Sequence, residues 1–272
     1  MPLSPRSRPA TGPRFPLRST AASARPRSRR AVARRAGFTL VELLVVIGII
    51  ALLISILLPA LGKAKEQGNA LKCMNNMRQL VTATIMYCNA AKDIPPDGAE
   101  GPPQNKFDWV YWQPKGTAIY DDVTQSTIAL YLAKEEATLR AMLTCPSDPV
   151  AEHISNYGGR PPYPFSYSMN SQISGNSRAL ALSPPLRRMG QVRNVTRKIW
   201  FIDEDARTVN DGLFTPGTGG IAALDQVADR HEAKRSNLLN NQGRGNVAYV
   251  DGHVVFTDRS DIHNVANTDP YK

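Results

Sequence analysis

The sequence predicts an α+β protein in which a long N-terminal α-helix is followed by a C-terminal antiparallel β-sheet domain, on which its second half packs. Three patterns support this: a uniformly apolar run, a helical repeat of apolar residues that continues past Pro59, and two apolar runs that flank Asp251-Gly252. The expected organisation is a leader at 1–37, a membrane-spanning half-helix at 38–58, an amphipathic half-helix at 59–92, and a globular α+β domain at 93–272 with a hairpin at 246–256.

The leader carries the entire excess of positive charge. The chain has 272 residues and a formal net charge of +10, and residues 1–36 contain ten arginines but no lysine, aspartate or glutamate. Because the other 23 basic residues are matched by 23 acidic ones, the rest of the chain is neutral and no nucleic-acid partner is expected. A segment of the leader's composition cannot bury enough apolar surface to fold, so we expect it to be disordered.

The apolar run at 38–58 has the length of a membrane span. Its only polar side chains are Thr39, Glu42 and Ser55. As a helix it would be about 31 Å long, close to the roughly 30 Å of a bilayer's hydrocarbon core. The arginines before it predict a cytoplasmic N-terminus and an exported C-terminal part.

The helix is expected to continue past Pro59, with a kink, to about residue 91. Beyond the proline, apolar residues recur at intervals of three and four, which predicts one buried face. These residues are Leu71, Met74, Met77, Val81, Ile85 and Cys88.

The clearest β signal is Asp251-Gly252, which predicts a two-residue hairpin turn with Val250 opposite His253. In that register one face of the hairpin points to the core and carries Val247, Tyr249, Val254 and Phe256. Other expected elements are a strand within 198–205, a strand around Trp109–Trp112 and a short helix within 124–142.

The junction between leader and span reads Arg-Arg-Ala-Gly-Phe-Thr-Leu-Val-Glu-Leu-Leu over residues 34–44. This combination of a basic leader, a glycine and Phe-Thr-Leu-x-Glu resembles the N-terminus of type IV prepilins and type II secretion pseudopilins. The resemblance implies a pilin-like fold, cleavage after Gly37 by a prepilin peptidase and N-methylation of Phe38. It also implies that Pro59 is the helix-kinking proline of this family.

Glu42 is the most informative residue of the motif. A carboxylate inside the span costs a few kcal/mol unless it is paired. Cleavage would create a cationic α-amino group at Phe38, which could pair with Glu42 of a neighbouring subunit. The alternative is that Glu42 simply reaches the membrane interface, since it lies only four residues inside the run.

The same resemblance implies a structural subunit rather than an enzyme. Such a subunit is anchored in the bacterial inner membrane by a single span, with an exported C-terminal domain. Its partners would be the prepilin peptidase, an inner-membrane assembly platform, the lipid bilayer and other pseudopilin subunits in a pseudopilus or pilus-like filament of a type II secretion-type system.

The C-terminal part resembles prepilin-like proteins of planctomycete-type bacteria. The resemblance is carried by Cys-Pro-Ser-Asp at 145–148, Ser-Tyr-Ser-Met-Asn at 166–170 and the hairpin. Those proteins have a processing-associated motif of histidine, nine residues and Asp-Gly. His231 is the candidate histidine here, but 19 residues separate it from Asp251 and Gly252.

No enzyme signature is present: GxSxG, a phosphate-binding loop and HExxH are all missing from the sequence. Carboxylates suit calcium, which similar pseudopilins bind, so weak metal candidates are Asp203, Asp205 and Asp251, with Glu204, His231, His253 and Asp258 as possible further ligands. The turn explains Asp251, and no EF-hand spacing occurs, so the expectation is no cofactor, with calcium left open.

The three cysteines permit one disulfide at most. Cys73 and Cys88 lie 15 residues apart on the predicted helix, about 22 Å, and cannot bridge each other. A disulfide would therefore join Cys145 to Cys73 or to Cys88. The alternative is three reduced, buried thiols.

Two other functions remain open. The chain could be an exported binding module or enzyme that uses residues 38–58 only as an anchor, and the arginine pairs at 29–30 and 34–35 would permit twin-arginine export. An organelle transit peptide is the least favoured, because the span follows the leader directly.

Overall fold

The computed structural model describes residues 38–99, 107–115, 118–120, 122–154, 162–175, 186–217, 225–232 and 243–272. The leader, and with it Gly37, lies outside these residues. The chain divides into two compact units, residues 1–52 and residues 53–272.

The long N-terminal helix is confirmed. Helix α1 runs from Leu40 to Ala90 without interruption, and Pro59 lies inside it. In the first unit its side chains are exposed on every side: Leu40 is 73% exposed and Ile50 is 48% exposed. Such a uniformly apolar and uncovered surface is the pattern of a helix that meets lipid or other apolar helices.

The second half of α1 buries one face against the globular domain. Met77 and Val81 are buried as the apolar repeat predicts, whereas Leu71 is 66% exposed. The centre of the buried face is a neighbouring row of α1 that includes two polar residues. This row consists of Cys73, Asn76, Leu80 and Thr84. The polar pair is satisfied: Asn76 donates to main-chain carbonyls, and the Thr84 hydroxyl donates to Leu80 O at 2.8 Å.

Among the described residues, five strands form the main sheet in the order β5-β3-β4-β6-β7. The strands are β3 (Tyr167–Asn170), β4 (Ile199–Asp203), β5 (Leu213–Phe214), β6 (Arg244–Tyr249) and β7 (Val254–Asp258). The pairs β3–β4, β4–β6 and β6–β7 are antiparallel, but the short β5 is parallel to β3. The sheet is therefore mixed at one edge, and the protein is α+β as predicted.

Both faces of the sheet are covered, which explains why its central strand is apolar throughout. All five residues of β4 are buried. Trp200 and Phe201 belong to the main core together with the buried face of α1, whereas Ile199 and Ile202 belong to a smaller core that includes Val247. A strand covered on both faces reads as a continuous apolar run rather than an alternation.

The C-terminal hairpin exists, but its predicted register is wrong by one residue. The pairs are Ala248 with Val254 and Val247 with Val255. The Tyr249 N–H donates to His253 O at 2.9 Å, so the loop has three residues rather than two. Gly252 ends the turn at φ +97°, the left-handed position that a three-residue loop requires.

This register distributes the hairpin side chains over both faces. The main core takes Ala248, Val250 and Val254, and the smaller core takes Val247, with Tyr249 and Val255 partly buried against it. The predicted single core face of Val247, Tyr249, Val254 and Phe256 is therefore wrong, because the slip of one residue exchanges the faces of β7 relative to β6.

Most of the smaller elements lie between α1 and the main sheet in the sequence, and one follows the sheet. The residues around Trp109–Trp112 are buried but irregular, and the strand pair follows as β1 (Gln113–Lys115) and β2 (Ala118–Tyr120). The helix expected within 124–142 is divided into α2 (Ala129–Leu132) and α3 (Glu136–Leu143). A last short helix, α4, spans Val265–Thr268.

Candidate functional site

The first candidate site is the start of α1. Thr39 precedes the first helical residue, and its hydroxyl oxygen accepts a hydrogen bond from the Glu42 N–H at 3.2 Å. The Glu42 carboxylate in turn accepts from the Thr39 N–H at 2.8 Å and from the Thr39 hydroxyl at 2.7 Å. This reciprocal arrangement is a capping box, which satisfies main-chain donors that a helix N-terminus otherwise leaves unpaired.

The capping box therefore gives Glu42 a partner within its own chain. Both residues are exposed, and so is Phe38, at 71%. The Thr39-x-x-Glu42 spacing is typical of a helix N-terminus, so the sequence contains the signal for this capping box. The resemblance to prepilins assigns a role to Glu42 but none to Thr39. The helix that follows is long and apolar enough to cross a membrane.

The second candidate site lies inside the globular unit, and we call it the thiol cluster: Cys73, Cys145, Asp203 and His231. One donor atom from each of the four side chains lies within 4.8 Å of the other three. The Cys73 thiol donates to Asp203 Oδ2 at 3.1 Å, and Cys145 Sγ lies 3.3 Å from His231 Nε2. The His231 Nε2 atom is also 3.8 Å from Asp203 Oδ2.

The four side chains of the thiol cluster come from four separate segments of the chain. Cys73 lies on the buried face of α1, and Asp203 is the last residue of β4. Cys145 opens the turn after α3, in which the Asp148 N–H donates to Cys145 O at 3.0 Å. His231 belongs to the 225–232 segment, which is fastened to the end of β4 by the hydrogen bond from Ala228 N–H to Asp203 O at 2.7 Å.

The orientation of His231 is set by its second ring nitrogen. His231 Nδ1 lies 2.9 Å from Glu66 Oε1. The Ser147 hydroxyl donates to the same carboxylate at 3.1 Å, and Asn69 donates to Ser147 at 3.0 Å. Glu66 therefore fixes the orientation of the His231 ring, which directs the Nε2 atom towards the thiol cluster.

Cys73 Sγ receives two further polar contacts. The Tyr167 hydroxyl donates to it at 3.5 Å and the Asn246 amide at 3.3 Å. Both donors are buried, Tyr167 on β3 and Asn246 on β6. Their convergence on one sulfur would stabilise negative charge there, whereas burial favours the neutral thiol.

A buried arginine compensates the carboxylates of the site. Arg230 contacts Asp148 Oδ1 at 2.6 Å and lies 3.6 Å from Asp203 Oδ1. Asp148 also contacts His153 Nε2 at 3.0 Å and accepts from the Ser166 hydroxyl. Because the Ser166 oxygen accepts from the Cys145 N–H at 2.8 Å, this network fixes the turn that carries Cys145.

The electrostatics of the thiol cluster are strongly perturbed. Burial raises the pKa of the Asp203 carboxyl to about 8 and raises that of the Cys73 thiol well above its usual range. The hydrogen bond with Cys73, helped by His231, lowers the pKa of Cys145 to about 5. Burial opposes the charged form of His231, but the neighbouring Cys145 raises the pKa of His231 to about 9.

Chemically the cluster brings two cysteine sulfurs, an imidazole ring and a carboxyl group together in one buried space. Cys145 is 1% exposed and Cys73 is fully buried, so a dissolved substrate cannot reach either sulfur. The sequence did not indicate this assembly, because its four members are separated by as many as 158 positions and only three-dimensional packing unites them.

The other predicted metal candidates are placed elsewhere. Within the described ranges, Asp203 is the only one of Asp203, Asp205 and Asp251 that belongs to a group of three or more possible ligands. The Asp205 carboxylate accepts two hydrogen bonds from the Arg207 guanidinium, both at 2.7 Å, and one from the Arg259 guanidinium at 2.6 Å. Asp251 contacts His253 within the hairpin turn. These oxygens do not converge as calcium requires.

The cysteines are all free thiols in the structure. Cys145 lies beside Cys73, whereas Cys88 is buried 15 positions further along α1. The His231 of the suspected His-Asp-Gly motif is in the thiol cluster, and Asp251 and Gly252 form the hairpin turn. Residues that sequence reasoning overlooked are Thr39, Glu66, Arg230 and Asn246.

Comparison with known families identifies two matching segments. Residues 32–58 match the model described as the prokaryotic N-terminal methylation motif. Residues 62–213 match the model described as a protein of unknown function, DUF1559, which is more than half of the chain. No curated protein and no solved structure matches the chain.

Proposed function

We propose that this chain, which belongs to the DUF1559 family and carries a prepilin-type methylation motif, is a pseudopilin subunit that is cleaved, methylated and assembled into a filament of a type II secretion-type system. The observation that carries the proposal is the uncovered apolar half of α1, which starts at the matched motif. An apolar surface of this size requires lipid or other apolar helices around it.

Processing is proposed to occur after Gly37. The cut would remove all ten leader arginines of residues 1–36 and leave Phe38 as the first residue, with a free α-amino group that is then methylated. The described helix begins two residues later, at Leu40. The new N-terminus would therefore lie next to the capping box.

Assembly is proposed to exchange the partner of Glu42. In the single chain its carboxylate binds Thr39. In a filament the same carboxylate would accept the cationic amine of Phe38 from a neighbouring subunit, which would neutralise both charges within the apolar surroundings. The hydrophobic helices would form the filament core and the globular units its outside.

The proposed location is the inner membrane before assembly, with the leader in the cytoplasm and residues 93–272 exported. The arginine-rich flank supports this orientation. We further propose a structural rather than an enzymatic role. The burial of both sulfurs in the thiol cluster supports this, since no reactive group of the cluster is open to a substrate.

The test is expression of the full chain in cells that contain a prepilin peptidase and the filament assembly machinery. Membranes and sheared filament fractions are separated, and the N-terminus in each is determined by mass spectrometry. We expect a methylated Phe38 in both fractions. Recovery of the chain only in membranes, with residues 35–37 still attached, would support the alternative of a simple anchor.

Two matched variants separate the roles of the capping box. The substitution Glu42→Gln keeps the size and an acceptor oxygen but removes the charge, and it should allow cleavage while abolishing recovery in filaments. The substitution Thr39→Ala removes the cap but keeps the carboxylate, and it should preserve assembly. Filaments that tolerate Glu42→Gln would refute the charge pairing.

A further inference from the structure

We propose that the thiol cluster is a closed structural site for Zn²⁺, with Cys73, Cys145, Asp203 and His231 as its four ligands. The inference is independent of filament assembly, because it concerns only the globular unit. It shares Asp203 and His231 with the weak calcium candidates of the sequence, but its two sulfur ligands suit zinc rather than calcium.

The donor set and its spacing suit zinc. Zinc in structural sites takes four ligands in a tetrahedron, drawn from cysteine sulfur, histidine nitrogen and carboxylate oxygen. With bond lengths of about 2.0–2.3 Å, neighbouring ligand atoms of a tetrahedron are about 3.3–3.8 Å apart. The contacts from Cys73 to Asp203, Cys145 to His231 and His231 to Asp203 are 3.1, 3.3 and 3.8 Å.

The surroundings already orient the ligands. Glu66 holds His231 through Nδ1, so Nε2 is the nitrogen that would bind a metal after releasing its proton. A carboxylate on the outer nitrogen of a ligating histidine is the usual arrangement in zinc sites. The hydrogen bonds from Tyr167 and Asn246 to Cys73 Sγ would stabilise a metal-bound thiolate.

A disulfide between Cys73 and Cys145 would satisfy the surrounding polar groups less well than a metal ion. Disulfide sulfur is a poor acceptor, so the buried donors of Tyr167 and Asn246 would lose their partner. Asp203 Oδ2, the carboxyl oxygen within the cluster, would lose the hydrogen bond from the Cys73 thiol if that thiol were oxidised. A cation at the centre of the cluster would instead bind the carboxylate directly.

A cation at the centre would reduce the negative charge of the site. Two thiolates and one carboxylate around a divalent cation leave one negative charge, and the guanidinium of Arg230, which also contacts Asp148, lies 3.6 Å from Asp203 Oδ1. Binding expels the proton that Cys73 donates to Asp203, together with the proton on His231 Nε2. The metal would join α1, the turn after α3, the end of β4 and the 225–232 segment at one point.

The experiment uses the untagged full chain, purified from membranes in detergent with chelator-free buffers. Elemental analysis should find about one zinc per chain. Replacement of zinc by Co²⁺ should give the visible d–d bands of a tetrahedral site together with thiolate-to-cobalt charge-transfer absorption. These measurements are made on the unaltered protein, so they do not depend on whether a variant folds.

Three variants locate the metal. The substitution Cys145→Ser removes a ligand and should eliminate the charge-transfer band or strongly reduce it. The substitution Glu66→Gln changes only the group behind His231, at a half-exposed side chain, and should weaken zinc affinity by about 10–100-fold. The matched control is Cys88→Ser, which removes a buried thiol from the same helix outside the cluster and should leave metal content unchanged.

Several results would overturn the proposal. One is a metal-free protein that also gives no cobalt spectrum, whether thiol titration then finds three free thiols or the single free thiol expected if Cys73 and Cys145 form a disulfide. Another is metal that persists unchanged in both Cys145→Ser and Glu66→Gln, since the ion would then be bound elsewhere. Equal loss of metal in Cys88→Ser would also contradict the assignment.

Discussion

Replacing Arg259 with methionine is expected to loosen the segment that carries His231. Arg259 is fully buried directly after β7. Its Nε donates to Val227 O at 2.7 Å, and one of its terminal nitrogens contacts Asp205 at 2.6 Å and Asp229 at 3.5 Å. One guanidinium therefore fastens the 225–232 segment to the C-terminal part of the sheet.

The loss of stability in Arg259→Met follows from the buried groups that lose their partner. Methionine fills a similar volume but cannot donate. Val227 O therefore loses a donor, and the buried carboxylates of Asp205 and Asp229 lose one of their guanidinium partners. Breaking a buried ion pair by removing one partner costs about 3–5 kcal/mol. For a unit of this size about 1 kcal/mol lowers Tm by 2–4 °C, so we expect a fall of about 6–20 °C.

The assay is thermal unfolding of the full chain in detergent, combined with hydrogen exchange of peptides from 225–232. The matched control is Arg140→Met, which breaks an exposed pair with Glu136 at 2.8 Å on α3 and should cost at most about 0.5 kcal/mol. If Arg259→Met melted within about 1 °C of the control, and the segment exchanged no faster, the structural role of this arginine would be refuted.

Three further outcomes test the fold. Gly245→Ala should lower Tm by about 2–12 °C, because a Cβ there would lie 2.1 Å from Ala228 O and overpacking costs about 1–3 kcal/mol. A Cβ at Gly48 meets nothing within 4 Å, so Gly48→Ala should be neutral, and equal melting temperatures for the two variants would contradict this packing. Gly252→Ala should cost only about 1–2 kcal/mol, because its φ of +97° is strained for alanine but space is available; an unchanged Tm would argue against the three-residue turn. Burial lowers the pKa of His263, so stability should fall as pH drops below about 6.5, and less so in His263→Gln; parallel pH curves would refute that role.

The helical part of the structure was predictable because its signals are local. The length and uniformity of the apolar run identify a span without any knowledge of the rest of the chain. The repeat of three and four residues identified the second half of α1, although its buried centre is shifted towards Cys73 and Leu80. Packing against the globular domain decides which of two neighbouring rows of α1 side chains is buried. The spacing of apolar residues alone does not distinguish the two rows.

In the C-terminal hairpin, an ambiguity of one residue in loop length decides which side chains face the main core. Asp251-Gly252 suits a two-residue turn, but it also suits a three-residue loop in which Gly252 alone has positive φ. The two loops differ by one residue of register, and that difference moves Val255 into the smaller core. Local turn chemistry located the hairpin but left its pairing undecided.

The thiol cluster could not be predicted from the sequence. The sequence presents Asp203 and His231 as separate metal candidates and Cys145 as a disulfide partner. Whether these side chains meet depends on how β4, α1 and two irregular segments pack. Burial of charged groups such as Arg230 and Arg259 has no sequence signature, because arginine is usually exposed. Only the set of contacts identifies them as interior residues.

The most direct test of the proposed function is the N-terminus of the mature chain. Mass spectrometry of the protein from membranes that contain a prepilin peptidase should find a chain that begins with methylated Phe38. The same preparation should lack every residue of the leader. A mature chain that retained Gly37, or that began anywhere else with an unmodified amine, would contradict the assignment as a processed pseudopilin.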